Sequence, residues 1–245
     1  MIKKIPNYPS LAYVGADVSL GKLKALIYFS LSAEESLTLD PYNQPVQFIS
    51  GNDLRVFSFT LPFHGPHFNK AHAMQAWSDE IKNNPEFLFH FIKECSLVVD
   101  ALIKENVIDP HFLSVAGLSR GAFLATHLGS ENKHIKNILG FAPLTSLSYL
   151  EEFQGNPQGE NYNLVHLNPK LIHKNLRFYI GNHDTRVGTE NCFQFINELT
   201  KLSHEHAVRS PKIELIISPS VGHKGHGTAS KTFQDGVNWL HTLTK

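Results

Sequence analysis

A serine flanked by two glycines stands where an apolar, β-branched segment gives way to a segment of helical character. The pentapeptide GLSRG, Gly117–Gly121, follows the apolar residues FLSVA. In a sharp strand-to-helix turn, a serine held at positive φ crowds the residues two before and two after it, and glycines remove that crowding. The spacing predicts Ser119 as a nucleophile, with the backbone N–H of Arg120 placed to stabilise an oxyanion. A serine in an ordinary strand-to-helix turn is the alternative interpretation.

A serine hydroxyl reacts only when a base removes its proton, and that base needs a carboxylate to orient it. Asp184 follows the apolar segment LRFYIG, and a histidine pair follows the next such segment, IELIIS. We therefore predict Asp184 as the acid member of a triad with Ser119. The segment GHKGHG, Gly222–Gly227, offers His223 as the predicted base, because it is nearer the apolar segment, and His226 as the alternative.

Strand-like segments alternate with segments of helical period along most of the chain, which is the pattern of an α/β fold with a mostly parallel sheet. Helical periodicity begins at Asn84-Pro85-Glu86, at Thr189 and near Ser230. We expect a three-layer α/β/α sandwich that brings the candidate residues together at the carboxyl ends of the strands. The predicted strands are Leu23–Ser30, Leu54–Leu61, Phe112–Gly117, Asn137–Ala142, Leu176–Gly181 and Ile213–Ser218.

One connection, Leu144–Lys174, is longer than the usual link between a strand and a helix. It is rich in glycine, asparagine and proline, and it is predicted to be either a small cap or a surface excursion of the single domain 1–245. Its aromatic residues and a neighbour could line an acyl pocket or belong to the core. These residues are Phe141, Tyr149, Phe153 and Tyr162.

Composition excludes several classes of protein. The 245 residues suit one domain, and 22 basic residues against 22 acidic ones give a formal net charge of +0, which argues against nucleic acid as a partner. No segment is apolar enough for a membrane span, and prolines interrupt the N-terminus where an export signal needs apolar residues, so a cytoplasmic location is expected. Cys95 and Cys192 are predicted to be buried free thiols, and the scattered histidines predict no metal site.

The chain resembles the α/β-hydrolase superfamily, and it is most similar to serine hydrolases of the dienelactone hydrolase and prolyl-oligopeptidase type. The resemblance rests on VAGLSRGAFLA, on IGNHDTRVG and on SVGHKGHG with the amphipathic segment that follows. It implies Ser119 as nucleophile, Asp184 as acid and His223 as base, with no cofactor required. Few residues precede Leu23, so we expect the first strands of this fold to be shortened or missing.

The sequence departs from the family pattern at the second oxyanion donor. The superfamily commonly has His-Gly after the strand that precedes the first helix, whereas this chain has Ser30-Leu31-Ser32-Ala33 there. We expect the backbone N–H of Leu31 or Ser32 to be the second donor. The only early His-Gly pair is His64-Gly65, after the next strand, where LPFHG looks like the family's turn.

These residues predict a serine hydrolase that cleaves a carboxylic ester, or a related acyl bond, of a small molecule through an acyl-enzyme. The same residues would serve an acyltransferase or a thioesterase, because the pocket chooses the acceptor. A non-catalytic binding protein with this fold and a metal-dependent hydrolase are the alternatives from other classes. The Arg120 side chain could bind a substrate carboxylate or anchor the turn.

Overall fold

An eight-stranded sheet runs through the centre of the molecule in the computed structural model, which describes residues 2–49 and 53–243. Its spatial order is β1-β2-β4-β3-β5-β6-β7-β8, with β1 and β2 antiparallel to their neighbours and the remaining pairs parallel. The strands are β1 (Lys3–Ile5), β2 (Tyr8–Gly15), β3 (Leu23–Phe29), β4 (Leu54–Phe59), β5 (Ile108–Leu118), β6 (Asn137–Phe141), β7 (Asn175–Gly181) and β8 (Ile213–Ser218).

Helices cover both faces of this sheet. One apolar cluster joins α1, α2 and α8 to one face, and a larger cluster joins the remaining helices to the other. The predicted three-layer α/β/α sandwich is therefore confirmed. The helices are α1 (Ala33–Thr38), α2 (Gln44–Phe48), α3 (Ala73–Asn83), α4 (Phe87–Lys104), α5 (Arg120–Glu131), α6 (Asn168–Leu171), α7 (Thr189–Glu205) and α8 (Ser230–Leu243).

The first strands differ from the expectation that they are shortened. Only β1 is short, whereas β2 has eight residues and pairs with β4 from Leu11 to Gly15. Pro6 and Pro9 do not break this hairpin, because Pro6 lies in its turn and Pro9 near the start of β2, where a missing N–H costs little. The prediction that these strands are shortened is therefore wrong for β2.

The long connection between β6 and β7 folds back onto the body of the protein as a series of short 3-10 turns followed by α6. The Asn156 amide donates to the backbone carbonyl of Ser78 at 2.8 Å and to its hydroxyl at 3.1 Å. The hydroxyl of Tyr162 donates to the carbonyl of Pro85. Several apolar side chains of the connection belong to the larger core cluster, among them Leu147, Leu150, Phe153, Tyr162 and Leu164.

Both cysteines are buried and free, as predicted, Cys95 on α4 and Cys192 on α7. Burial raises the pKa of each thiol, so neither is prepared for thiolate chemistry. Over residues 2–49 and 53–243, no helix has the length and apolar character needed to cross a membrane.

Candidate active site

Ser119 occupies a strained turn between β5 and α5. Its backbone has φ 57° and ψ −120°, a conformation that non-glycine residues rarely adopt. A Cβ atom on Gly117 would lie 2.2 Å from the carbonyl carbon of Gly121, and one on Gly121 would lie 2.1 Å from the carbonyl oxygen of Phe29. The predicted reason for the two glycines, close backbone approach around a serine at positive φ, is confirmed.

A continuous chain of hydrogen bonds links Ser119 to a buried carboxylate through one imidazole. The Nε2 atom of His226 lies 2.8 Å from Ser119 Oγ, and its Nδ1 atom lies 2.7 Å from Asp184 Oδ2. An ionised carboxylate can only accept, so Nδ1 carries a proton and Nε2 is free to accept one from the serine hydroxyl. This is the arrangement in which a serine hydroxyl can lose its proton to a neighbouring base.

The loop after β7 fixes Asp184 in place. Its side chain is fully buried, and Oδ1 accepts from the backbone N–H groups of Arg186 at 3.0 Å and Val187 at 3.1 Å. The backbone N–H of Asp184 donates to Thr189 Oγ1 at 2.9 Å, where α7 begins. Both carboxylate oxygens therefore have partners, and the one that meets His226 has little freedom to turn away.

The histidine beside Ser119 is His226, and the prediction of His223 as its partner is wrong. After β8 the chain makes one 3-10 turn at His223–Gly225. Lys224 and Gly225 in this turn have positive φ, as does Gly222 just before it. The turn reverses the chain, and the N–H of Gly227 donates to Val221 O at 2.7 Å. His223 is thus left exposed on the outer side of the turn, while His226 returns toward the serine.

Ser119 opens onto a cavity of about 430 Å³. The aromatic residues on its wall are Tyr42 and Phe233, and none of the four proposed from sequence lines it. Phe141 packs edge-on against Phe233 in the core, and the connection that carries the other three lies against the body of the protein. The cavity is lined by Ser30, Leu31, Pro41, Tyr42, Leu118, Ser119, Arg120, Arg186, His223, Lys224, His226, Gly227, Thr228 and Phe233.

The predicted oxyanion donors differ in where the structure places their backbone N–H groups. Arg120 is the first residue of α5, so its N–H lies at the positive end of that helix, next to Ser119. The N–H of Leu31 donates instead to Ser36 Oγ at 2.9 Å. Ser32 caps α1 through a 3.3 Å hydrogen bond from the N–H of Glu35 and does not line the cavity. The N–H of Leu31 is therefore already bound, and that part of the prediction is corrected, whereas the N–H of Ser32 as second donor stays a prediction.

The Arg120 side chain contacts a buried histidine. Its Nη1 atom donates to His64 Nε2 at 3.1 Å, and His64 Nδ1 lies 2.7 Å from the carbonyl oxygen of Pro62. Burial, assisted by the charge of Arg120, lowers the pKa of His64 to about 4. The imidazole is therefore neutral near pH 7, with its proton on Nδ1 and its Nε2 lone pair toward the guanidinium. The sequence marks His64 only as part of a turn, because no neighbouring residue indicates a contact with Arg120.

Arg186 connects the Asp184 loop to the long connection. Its guanidinium makes two hydrogen bonds to Glu152, of 2.7 and 3.2 Å. Burial alone would raise the pKa of Glu152, but the hydrogen bonds that its carboxylate accepts, together with the charges of Arg186 and Arg120, outweigh burial and the pKa is lowered. In the part of the chain that the structure describes, no group of three or more His, Cys, Asp or Glu residues is arranged to hold a metal ion.

Comparisons with known proteins agree with this architecture. No family model matches the chain. Over 156 residues it is 22% identical to acylamino-acid-releasing enzyme from Arabidopsis thaliana, a match that spans 54% of this chain and 20% of that protein. The chain thus corresponds to about a fifth of that relative's length.

Solved structures are similar over almost the whole chain. A Thermus thermophilus protein has a TM-score of 0.70 at 15% identity, with 96% of this chain and 93% of that chain covered. Acetyl xylan esterase 1 from a Thermoanaerobacterium species has a TM-score of 0.67 at 13% identity, covering 96% and 79%. A cold-adapted esterase from an Arctic intertidal metagenomic library has 0.66 at 16% identity, covering 96% and 88%. With this strand order and these neighbours, the chain has the α/β-hydrolase fold.

Proposed function

We propose that the protein is a serine hydrolase that cleaves a carboxylic ester, or a related acyl bond, of a small molecule. The observation that carries this proposal is the hydrogen-bonded chain from Ser119 Oγ through His226 to Asp184, with its serine end open to a cavity. Serine, histidine and aspartate in this order and at these distances are the groups that acyl transfer needs.

The first half of the reaction forms an acyl-enzyme. Ser119 Oγ attacks the substrate carbonyl carbon while its proton moves to Nε2 of His226, and the buried Asp184 carboxylate stabilises the imidazolium that results. The carbonyl oxygen becomes an oxyanion, to which the N–H of Arg120 donates a hydrogen bond. The bond to the leaving alcohol then breaks, and the alkoxide takes the proton from His226.

The second half releases the acid. Water enters the cavity, gives a proton to His226 and attacks the acyl carbon, and the proton returns to Ser119 when its ester bond breaks. No cofactor takes part. An alcohol, amine or thiol in the place of water would make the same residues those of an acyltransferase, and a thioester substrate would make them those of a thioesterase.

The names of similar proteins point to two kinds of acyl bond. Two structural neighbours are named esterases, and two others are named peptidases. A panel of aryl esters of increasing acyl length, with one thioester and one short peptide, separates the two. We expect the esters to be hydrolysed fastest, because an alkoxide leaves more readily than an amide nitrogen.

The decisive experiment is covalent labelling with a fluorophosphonate, which reacts with serines activated by a base. We expect one label per chain on Ser119, no label on Ser119→Ala, and unchanged labelling of the matched control Ser210→Ala, whose serine is exposed in the connection between α7 and β8. Folded protein that takes no label and cleaves no ester would support a binding protein instead. Activity that a chelator removes and a fluorophosphonate does not would support a metal-dependent hydrolase.

A further inference from the structure

The residues that line the cavity beside Ser119 include three basic side chains and no carboxylate. Of the residues on its wall, Arg120, Arg186 and Lys224 carry a permanent positive charge, and none is an aspartate or a glutamate. The Asp184 carboxylate, beneath the wall, is buried and already bound to His226. A wall of this composition favours a substrate that carries negative charge, because like charges close together repel each other unless an anion lies between them.

The three cations differ in what neutralises them. Arg186 makes a bidentate ion pair with Glu152. Lys224 Nζ lies 3.9 Å from Glu151 Oε1 at the exposed edge of the cavity. Arg120 has no carboxylate in contact within the described residues, and its one hydrogen bond goes to the neutral His64. Arg120 and Arg186 thus share the charge of one carboxylate, Glu152, whose hydrogen bonds go to Arg186, and Arg120 is the cation that a ligand could still pair with.

Burying the charge of Arg120 without a directly bound carboxylate lowers the stability of the folded chain. Burial lowers the pKa of its guanidinium and the nearby charge of Arg186 lowers it further, while Glu152, which is paired with Arg186, and Tyr42 act in the opposite direction without reversing the shift. A cation that is partly removed from water, without a paired anion, destabilises the folded chain unless something supplies the opposite charge. Anchoring the turn through one hydrogen bond to His64 would need only a single N–H donor. A neutral side chain with one N–H could do this without the cost of burying a charge.

His64 holds the guanidinium without neutralising it. The histidine is completely buried, and its Nδ1–H is committed to the carbonyl of Pro62, which leaves Nε2 as a fixed acceptor for one Arg120 N–H. Arginine has five N–H donors in a planar fork, so donors remain for a second, bidentate partner on the cavity side.

From this geometry we infer that the substrate carries a free carboxylate, which the Arg120 guanidinium binds beside the reacting Ser119, with His64 as the residue that positions the guanidinium. The inference rests on the proposed function and names its substrate class, a carboxylate-bearing ester. The carboxylate could belong to the acyl group or to the leaving alcohol, and the test below separates the two.

Two matched pairs of esters test the inference. The acyl pair is the para-nitrophenyl monoester of glutarate and the same ester with a carboxamide in place of the carboxylate. The leaving-group pair is meta-carboxyphenyl butyrate and meta-carbamoylphenyl butyrate. We expect the carboxylate member of one pair to have a kcat/KM at least about tenfold higher, mainly through a lower KM. The pair that shows the preference tells which side of the substrate carries the anion.

Substitution assigns the preference to Arg120. In Arg120→Gln the ratio of kcat/KM within the preferred pair should fall to about one. The matched control is Arg209→Gln, which removes an exposed positive charge between α7 and β8. This residue precedes the amino-terminal end of β8, whereas the site lies at the carboxyl ends of the strands, so the ratio should not change. Equal rates within both pairs in the unmodified protein, or a preference that survives Arg120→Gln, would overturn the inference.

Two further measurements test the inference if Arg120→Gln does not fold, and distinguish its failure from failure of the proposed function. If Arg120→Gln does not fold, inhibition of the unmodified protein by glutarate is compared with inhibition by glutaramide, and equal inhibition constants would contradict the inference. Failure of the proposed function looks different, since Ser119 would take no fluorophosphonate and neither member of either pair would be hydrolysed. Labelling and hydrolysis without a carboxylate preference would remove only the further inference.

Discussion

Gly121 lies so close to Phe29, at the end of β3, that only a residue without a side chain fits at that position. A Cβ atom on Gly121 would lie 2.1 Å from the carbonyl oxygen of Phe29, which belongs to the strand beside β5. The obstacle is backbone and not the end of a flexible side chain, so neither partner can move aside without disturbing the sheet or the turn at Ser119.

We therefore predict that Gly121→Ala lowers the free energy of unfolding by about 3 kcal/mol or more and reduces labelling of Ser119. Urea unfolding followed by circular dichroism measures the first effect. The control is Gly65→Ala, where a Cβ atom would meet only ordinary contacts with Phe68, at 3.7 Å and beyond, and where we expect a change within about 0.5 kcal/mol. Equal stability of the two variants would show that the close approach at Gly121 is not required.

The two histidines after β8 should differ strongly in their effect on turnover. His226→Ala removes the imidazole that contacts both Ser119 and Asp184, so kcat should fall by about 1,000-fold or more. His223→Ala removes an exposed side chain at the cavity mouth and should cost about tenfold or less. Both are measured on the same ester at saturating concentration. A greater loss in His223→Ala would contradict the assignment of His226 as the base.

The buried imidazole of His64 makes stability depend on pH. Burial, with the charge of Arg120, lowers the pKa of His64 to about 4, against about 6.5 for an exposed histidine. Between these values the unfolded chain binds a proton that the folded chain does not, so stability is fully present above about pH 6.5 and decreases as the pH falls toward 4. A single such group contributes at most about 1.4 kcal/mol per pH unit.

Urea unfolding at several pH values between 7 and about 4.5 tests this dependence. We expect a shallower decrease in His64→Gln, whose side chain cannot titrate but can still accept from Arg120, and an unchanged decrease in the exposed control His204→Gln. The imidazole signal of His64 in an NMR titration should still be that of the neutral ring at pH 5.5. A midpoint for His64 near 6.5 would contradict its burial against Arg120.

The parts of the site that follow strands directly could be predicted from the sequence. Ser119 and Asp184 are each placed by an apolar strand that ends just before them, and the strand β8 has the predicted bounds. The choice between the two histidines could not be made this way. It depends on left-handed backbone at Gly222 and Gly225, and on the close approach of Gly225 to the carbonyl of His183, a contact between distant parts of the chain.

The residues that line the cavity also could not be predicted from the sequence, because distant parts of the chain supply them. Tyr42 precedes α2 and Phe233 belongs to α8, and only the folded sheet brings them to the same serine. The same is true of the hydrogen bond between His64 and Arg120, which are 56 residues apart. Local periodicity identifies elements and their ends, whereas the identity of the cavity lining depends on how distant elements pack.

The long connection between β6 and β7 should contribute to stability and leave substrate size selection to other residues. Its Asn156 amide is buried and donates to the carbonyl and hydroxyl oxygens of Ser78 on α3, and no residue of Leu144–Lys174 lines the cavity. Asn156→Ala would leave the carbonyl of Ser78 without this donor, so we expect a loss of about 1 to 3 kcal/mol in the free energy of unfolding. The control Gln154→Ala changes an exposed side chain and should have little effect. Both variants should keep the relative rates of the unmodified protein across aryl esters of increasing acyl length. A changed acyl preference in Asn156→Ala at unchanged stability would instead support a cap over the site.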